Sequence, residues 1–551
     1  MIILFRLQFF LYLCVIRVIT LKHNNEEFID TNMTPSICLQ SRQFVTFSIL
    51  LYLREINSGH TKIYNMKTTR FFIAAALLAL VAACTSSDKC CIIEESSSKE
   101  LSFESSDKNL ELAFLWGEKM ALSYAHHGDD PVGCWYEAAL PSRYAFCMRD
   151  AAHQSIGAEI LGLSKHNYNM MSKFAQNISE SKDWCTYWEI DKYDKPCRAD
   201  YTSDDDFWYN LNANFDVMYA CWRLYEWTGD KRYIEDAAFN RFYSLSAKEY
   251  VDSWQLNPEQ MLTRTREVNR KEEAKRFGIS RGVPSYVESY GGLFSSSDLV
   301  ATIYGGYDAY SKILSVAGNS EKSAQMAARA EEYRKHLDEK WWSPEINTYH
   351  TFWTNKGEFA DGEGLTHVIW FGAVKDAARI KGTVEKMLAR KEWNIENISY
   401  FPLLWYRYNY SDEAYEILKN IVLARRCEYP EVSYGMVEGI VSGTMGIEPS
   451  ASKKRITTLP KITGDNYLQI SNLPVLGGNI TVRHNDNRTS ALLNNTPSEI
   501  TWEAAFAGDY ENILVNGKST KAEKRTDAMG QTISFAEVKL AKGEKACCRV
   551  K

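Results

Sequence analysis

The sequence lacks an excess of basic residues. Its 64 Lys and Arg are outnumbered by 70 Asp and Glu, the formal net charge is −6, and no Lys/Arg-rich run occurs. Because nucleic-acid-binding proteins need a basic surface to neutralise phosphates, we do not expect nucleic acid as a partner. The sequence also lacks Cys and His at the spacings of metal ligands, so no metal site and no cofactor are predicted.

The apolar run at residues 71–83 is too short for an ordinary membrane-spanning helix. A basic stretch, residues 66–70, precedes this run, and small residues lead from it to Cys84. This order resembles a bacterial lipoprotein signal, with residues 80–84 as the lipobox. We therefore predict that residues 66–83 are a signal peptide and that Cys84 is lipidated. The exported protein would be anchored to the membrane in the bacterial cell envelope, in the periplasm or at the outer membrane.

The segments on either side of this signal are not expected to form a folded domain. Residues 84–108, rich in Ser and charge, are predicted to be a flexible tether. Residues 1–65 precede a complete signal, and Arg6 and Arg17 interrupt their apolar start. We interpret residues 1–65 as a spurious upstream extension, with a genuine anchor helix as the alternative.

The cysteines suggest one internal disulfide. Cys185 and Cys197 flank one aromatic loop, and an oxidising compartment would allow them to pair. The adjacent cysteines at 90–91 and 547–548 cannot bridge within each pair without strain.

Helical periodicity extends over residues 109–449. Two segments there look alike, residues 207–252 and 298–340, and in each a Tyr-rich apolar helix meets a Gly turn and then a charged amphipathic helix. An apolar inner helix followed by a polar outer one is what a closed ring of helical hairpins requires. The sequence therefore predicts a mainly α fold, an (α/α)6 toroid of about twelve helices.

The composition changes after Pro449. Short β-branched runs replace helical periodicity, and turn residues such as Gly464-Asp465 and Asn516-Gly517 separate them. A β-sandwich domain is predicted for residues 450–551.

Acidic residues precede several of the predicted inner helices. In a helical toroid the cup is lined by the loops that enter the inner helices, so acids at those places are candidates for chemistry. Cleavage of a glycosidic bond needs two carboxyls, one protonated and one ionised. The candidates are Glu288 and Glu431, with Glu428 and Glu438 in reserve for the second role.

Aromatic rings and hydrogen-bonding side chains crowd the sequence around Arg149 and Asp150, at the start of one predicted helix. A sugar site requires flat apolar faces to pack on the sugar ring and charged side chains to bind its hydroxyls. For Asp150 and Asp206 a helix cap is the alternative interpretation. The predicted substrate-binding residues are Trp135, Tyr136, Arg149, Asp150, His153, Gln154, Asp206, Trp208 and Tyr290.

Three segments resemble the six-hairpin (α/α)6 glycoside hydrolases, the group of glucoamylases, trehalases, rhamnosidases and mannosylglycerate hydrolases. Residues 147–154 are similar to the Arg-Asp segment that holds sugar hydroxyls in these enzymes. Residues 287–293 are similar to the Glu-Ser-Gly segment that carries or adjoins the general acid. Residues 428–431 occupy the place of the general base.

This resemblance covers about residues 110–550 and implies an inverting, exo-acting glycosidase that cleaves terminal sugars from oligo- or polysaccharides. Glu288 would be the general acid and Glu431 the general base. The sequence departs from the family pattern after Glu288, because Tyr290 and two glycines stand where an aspartate is expected.

Two other classes of function fit parts of the pattern. A lipid-anchored glycan-binding protein of an uptake system would share the tether and the aromatic loops, without needing two converging acids. A polysaccharide lyase on a related toroid would use Tyr290 or His153 as its base.

Overall fold

The computed structural model describes residues 93, 99–140, 143–266, 281–288 and 292–551. The predictions for residues 1–65, for the signal peptide, for Cys84 and for Tyr290 therefore lie outside the described residues. In the part of the chain that the structure describes, we find no helix whose length and apolar character would suit a membrane span.

Helices dominate the first three quarters of the described chain. Their bounds are α1 Lys108–Ser123, α2 Met148–Ile160, α3 Ser164–Gln176, α4 Ala213–Thr228, α5 Arg232–Glu235, α6 Ala237–Leu245, α7 Val251–Trp254, α8 Ser297–Val316, α9 Ser320–His336, α10 Leu365–Trp370, α11 Ala377–Ala389, α12 Ile395–Arg407, α13 Ser411–Asn420 and α14 Pro430–Glu438.

Six of these helices are neighbours in a ring. In order, α2, α4, α8, α10, α12 and α14 pack each against the next, and α14 packs back against α2. Every residue of α2 and α14 is buried, as expected for helices enclosed on all sides. The charged helix α9 packs against α8 and buries only Ala330 and Tyr333, which suits an outer position.

Close approach of two ring helices depends on a glycine. A Cβ atom at Gly157 of α2 would lie 2.4 Å from the carbonyl oxygen of Tyr434 in α14. The ring can close at this point because Gly157 has no side chain.

Short strands connect the helices, and longer ones follow them. The connecting strands are β2 Ala125–His127, β3 Cys134–Tyr136, β4 Ala145–Cys147, β5 Glu189–Asp191, β6 Tyr201–Ser203, β7 Asp206–Phe207, β8 Tyr209–Asn210, β9 Arg281–Val283, β10 Leu293–Ser296, β11 Trp342–Ser343, β12 Thr348–Tyr349, β13 Phe352–Thr354 and β14 Phe359–Ala360. The others are β1 Ser102–Ser105, β15 Ile447–Ser450, β16 Arg455–Thr458, β17 Tyr467–Val475, β18 Gly478–Asn485, β19 Thr489–Asn494, β20 Ile500–Ala507, β21 Asn512–Val515, β22 Lys518–Lys521, β23 Glu523–Thr526, β24 Thr532–Leu540 and β25 Lys545–Arg549.

Two sheets make up the C-terminal region. One has the order β1-β17-β18-β19-β25-β21-β22 and the other β15-β16-β20-β24-β23, and the pairs are antiparallel except for β16 with β20. Ile470 of the first sheet and Trp502 of the second belong to the same continuous hydrophobic cluster as the ring helices. A mainly helical chain that ends in antiparallel sheet structure is therefore confirmed.

The regular six-hairpin geometry is not reproduced in full. α10 has only six residues, and α14 passes after nine residues into a π-helical segment, Gly439–Thr444. The described helices thus fall short of six regular hairpins.

Two local predictions need correction. A flexible tether is predicted as far as residue 108, but Ser102–Ser105 forms β1. This strand pairs with β17, with Ser102 opposite Ser471. Residues 207–212 were assigned to a helix, but β7 pairs with β6 and β8 pairs with β9, so α4 begins only at Ala213.

The cysteine pairing is also wrong. Cys185 and Cys197 are both free and buried. The thiol of Cys197 lies beside the carboxyls of Glu189 and Asp200, so it faces neighbours other than Cys185. Cys547, by contrast, is disulfide-bonded.

Candidate functional site

Five ring helices begin with an acid in their first turn. The positive end of the helix dipole stabilises an anion at this position. The five acids are Asp150 of α2, Asp216 of α4, Asp298 of α8, Glu396 of α12 and Glu431 of α14. Four of them gather around one arginine, and we call the group formed by Arg149, Asp150, Asp216, Tyr286, Glu288, Glu396 and Glu431 the cup.

Arg149 is the centre of the cup. Its Nη1 lies 3.3 Å from Oε1 of Glu288, its Nη2 lies 3.3 Å from Oε2 of Glu396, and its Nε lies 3.5 Å from Oδ1 of Asp150. The rings of Trp188 and Tyr286 lie 5.6 Å and 5.5 Å from the guanidinium carbon, within cation–π range. One buried cation therefore holds three carboxyls from three distant parts of the chain.

The geometry of Arg149 limits the distance between two of these carboxyls. Because Nη1 and Nη2 belong to one planar guanidinium, the bonded oxygens of Glu288 and Glu396 lie no more than about 9 Å apart. The Glu288 side chain is 35% exposed and that of Glu396 is 28% exposed. Both carboxyls are therefore accessible to a ligand.

Asp150 and Glu431 are the buried acids of the cup. Burial raises the pKa of Asp150 to about 6, assisted by Glu396 and opposed by Arg149. Burial also raises the pKa of Glu431 well above its ordinary value, assisted by Asp150 and Glu396. We expect Glu431 to hold a proton at neutral pH, because several negative charges this close together are unfavourable.

Asp216 and Tyr286 form the wall next to Arg149. The Tyr286 hydroxyl donates a hydrogen bond to Oδ1 of Asp216, and burial raises the pKa of Asp216 well above its ordinary value, opposed by this hydrogen bond and by Arg149. His367 stacks on the Tyr286 ring at 3.5 Å between centroids. Burial lowers the pKa of His367 well below its ordinary value, so its ring is neutral at pH 7.

Three carboxyl oxygens of the cup have no hydrogen-bond partner among the described residues: Oδ1 of Asp150, Oδ2 of Asp216 and Oε1 of Glu431. Buried acceptors without partners are costly for a folded protein. They can instead accept hydrogen bonds from the hydroxyls of a ligand.

The structure brings together the central residues that the sequence predicted. Arg149, Asp150, Glu288 and Glu431 all belong to the cup. His153 lies close by, one turn further along α2, where it stacks on Tyr400 at 3.5 Å and its Nε2 lies 3.0 Å from the hydroxyl oxygen of Ser399.

Other predicted binding residues have structural roles. Trp135 is fully buried and donates through Nε1 to Asp130 at 2.8 Å. Tyr136 is also fully buried, and its hydroxyl donates to Oδ1 of Asn167 at 2.6 Å. These two rings belong to the core, because the loop that carries them pairs β2 with β3 and packs on α3.

The remaining predicted binding residues occupy the core or the connecting strands. Gln154 is buried, with its Nε2 donating to the carbonyl oxygen of Glu137. Asp206 lies in the hairpin of β6 and β7, and Trp208 is buried just after that hairpin. Asp206 does not cap a helix as the alternative interpretation expected, because the helix that follows begins only at Ala213.

The two reserve acids do not share the cup. Glu438 lies seven residues beyond Glu431, about 10 Å along α14, and is ion-paired with Arg223. The side chain of Glu428 is exposed, and its carbonyl oxygen accepts a hydrogen bond from the Tyr124 hydroxyl.

Sequence reasoning missed Glu396, Asp216, Tyr286 and His367. A signal for Glu396 was present, because Asn394 caps α12 by accepting from the Glu396 amide, and an acid in the first turn follows the same rule that identified Asp150.

Glu189, Cys197 and Asp200 are close enough together to resemble a metal site. Nη1 of Arg143 lies 2.7 Å from Glu189 and 2.8 Å from Asp200, so an arginine already pairs with both carboxyls.

A cavity of about 700 Å³ lies at the opposite end of the ring from the cup. It is lined by the C-terminal ends of α4, α8, α12 and α14 and by β15 and β16. Its lining includes Arg223 and Glu438 but none of the cup residues.

Solved structures with the same kind of fold include carbohydrate-active proteins. The α-L-rhamnosidase from Dictyoglumus thermophilum aligns over 83% of this chain and 51% of its own, with 13% identity and a TM-score of 0.51. A human-microbiome protein assigned as a kojibiose phosphorylase aligns over 80% of this chain and 63% of its own, with 10% identity and a TM-score of 0.50. The chain is thus similar in structure to six-hairpin glycosidases, and it spans about half the length of that rhamnosidase. No protein-family model and no curated protein matches the sequence.

Proposed function

We propose that this protein is a glycoside hydrolase, inverting and exo-acting, and that the cup is its active site. The ring of six helices would be the inner layer of an (α/α)6 toroid. The observation that carries the proposal is the arginine-centred group of carboxyls, in which the buried Glu431 lies among the same acids as the ion-paired, accessible Glu288.

Glycosidase chemistry needs one protonated and one ionised carboxyl, roughly 6.5–9.5 Å apart when a water molecule attacks directly. The sequence assigned the acid to Glu288 and the base to Glu431. The environments favour the opposite roles: the raised pKa of Glu431 suits an acid, and the ion pair of Glu288 with Arg149 suits a base.

Asp150 and Arg149 would bind the terminal sugar. Asp150 offers an oxygen that accepts no hydrogen bond from the described residues, and Arg149 offers a planar guanidinium between two aromatic rings. Glu396 would position Arg149 and is the competing candidate for the base, because it is bonded to the same guanidinium.

The test is hydrolysis of a panel of aryl glycosides that includes an α-L-rhamnoside, with and without inorganic phosphate. Glu431→Gln and Glu288→Gln should each lower the rate by about 10²- to 10⁴-fold. With a highly activated leaving group, Glu431→Gln should recover much of its activity, because the departing oxygen then needs little protonation. Glu288→Gln should not recover, because the water must still be activated. If only Glu288→Gln recovered activity, Glu288 would be the acid and Glu431 the base, as the sequence predicted.

Glu428→Gln is the matched control, because this nearby glutamate has an exposed side chain. It should retain the wild-type rate. A loss in Glu396→Gln larger than in Glu288→Gln would move the base to Glu396. Unsaturated product from uronic-acid polymers would indicate a lyase instead, and binding without any turnover would indicate a glycan-binding protein.

We also propose that the protein is exported and anchored through a lipid on Cys84, in the bacterial cell envelope. The order of basic, apolar and small residues before Cys84 supports this proposal.

A further inference from the structure

The cavity at the far end of the ring has an electrostatic character of its own. Basic side chains outnumber acidic ones along its wall, although the chain as a whole carries a net charge of −6. Its volume of about 700 Å³ falls in the range of small-molecule sites.

The acids of this cavity are already engaged or exposed. Glu438 is ion-paired with Arg223, and Glu226 accepts hydrogen bonds from Ser450 and Ser452. Asp527 accepts from the side-chain amide of Asn409 and from two backbone amides, while Glu448 is exposed.

Two largely buried cations of the wall have no acidic partner among the described residues. Arg407 donates through Nη1 to the carbonyl oxygen of Trp370 at 2.7 Å. Lys461 donates to the carbonyl oxygen of Tyr406 and, at 3.0 Å, to Oδ1 of Asn409. Burial lowers the pKa of Lys461 to about 8, assisted by Arg407 and only partly opposed by the more distant carboxyls of Asp527 and Glu448.

A third cation leaves a donor unused. Nη1 of Arg455 is bonded to Glu503, but its buried Nε has no hydrogen-bond partner. Buried charges and donors without partners are unfavourable unless a ligand satisfies them. The aromatic side chains of Tyr219 and Trp222 line the same space and provide flat apolar surface.

We propose that this cavity is a second ligand site, distinct from the cup, for an acidic sugar. A carboxylate or phosphate of the ligand would contact Arg407 and Lys461, and its ring would pack against Trp222. Ligand binding at this site does not depend on catalysis in the cup, so it can be tested separately from the proposed hydrolase activity.

Isothermal titration of the full chain tests the proposal, with glucuronate, glucose 6-phosphate, inorganic phosphate and glucose as probes. Glucuronate and glucose differ only in the oxyanion, so glucuronate should bind and glucose should not. Binding of glucuronate would identify a carboxylate ligand, and binding of glucose 6-phosphate alone a phosphate ester. Failure of both acids, equal binding of glucose, or inorganic phosphate binding as tightly as either acid would overturn the proposal.

Variants locate the binding site. Arg407→Gln and Lys461→Gln should each weaken binding about tenfold or more, because each removes a charge-assisted hydrogen bond. Lys312→Gln is the matched control, since Lys312 lines the same cavity but is already paired with Asp308 at 2.6 Å.

Circular dichroism and melting temperature report whether each variant folds, and Arg407→Lys retains the charge if Arg407→Gln does not fold. Equal affinity in wild type and in whichever of Arg407→Gln and Lys461→Gln folds would refute the site. Loss of binding in Glu431→Gln would indicate that the acidic ligand binds in the cup instead.

Discussion

Replacing Asp150 by Asn should separate a catalytic role from a structural one. Asparagine keeps the shape of the side chain but removes the negative charge that burial makes unfavourable. The Oδ1 atom of Asp150 has no hydrogen-bond partner among the described residues, so its charge is poorly compensated apart from the contact with Arg149.

The magnitude follows from the pKa of Asp150. Burial raises it from 3.8 to about 6, roughly two pH units, which correspond to about 3 kcal/mol. Between about pH 4 and pH 6 the folded protein keeps a proton that the unfolded chain releases, so the free energy of unfolding falls as the pH rises through this window. Above about pH 6 the wild type carries the whole penalty, and Asp150→Asn does not.

Urea unfolding at pH 4 and pH 7.5 measures this difference. The stability of Asp150→Asn relative to wild type should improve by up to about 3 kcal/mol between the two pH values. Turnover in the variant should fall, since lost hydrogen bonds to substrate hydroxyls cost on the order of 2–4 kcal/mol in transition-state binding. Intact turnover with a stability loss that does not change with pH would refute the reasoning and show that Asp150 only caps α2.

Asp298→Asn is the matched control for burial. Burial also raises the pKa of Asp298 to about 6, but its oxygens accept hydrogen bonds from Ser285, Ser296 and Asn212. An amide at this position would face these donors with an NH₂ group. Asp298→Asn should therefore destabilise the protein by about 1–3 kcal/mol, even at pH 7.5.

Three further outcomes are expected. Arg149→Lys keeps the charge but loses the planar fork, so activity should fall at least tenfold in a glycosidase assay while the melting temperature changes little; wild-type kinetics would argue against bidentate positioning. Gly157→Ala should lower the free energy of unfolding by about 1–3 kcal/mol, because its Cβ would overlap the carbonyl oxygen of Tyr434; an unchanged urea midpoint would mean that the ring relaxes at no cost. Mass spectrometry of membrane-released protein should find an acylated Cys84 as the first residue, and a mature chain that retains residues 1–65 would contradict that prediction.

Local sequence patterns predicted the long helices better than the short strands and the ends of segments. The helix over residues 298–316 was expected within one residue of α8, because its apolar spacing and the Gly318-Asn319 turn are local signals. The strand Thr489–Asn494 was missed, because its pairing with β18 and β25 is not a local signal. The tether prediction erred at Ser102–Ser105 for the same reason, because the partner strand lies more than 300 residues away.

The cup could be predicted only in part because its contacts are remote in sequence. Arg149 meets Glu288 across 139 positions and Glu396 across 247. An acid in the first turn of a helix is a local observation, but which of these acids share one cation is not. The aromatic residues misled for a related reason: composition does not distinguish a ring in a binding loop, as expected for Trp135, from a ring in the core, where Trp135 lies.

Burial and a raised pKa alone do not identify the functional acids of this fold. Asp298 has both, yet its oxygens are satisfied by neighbouring side chains, and it stabilises the start of α8. Asp150, Asp216 and Glu431 each keep one carboxyl oxygen without a hydrogen-bond partner among the described residues, although Oδ1 of Asp150 lies within ion-pair distance of Arg149. If these acids were only structural, amides would be less costly at the same positions, because they carry no like charges to repel one another. Under the proposed function, the hydroxyls of a bound sugar would complete the hydrogen bonds that the protein leaves open.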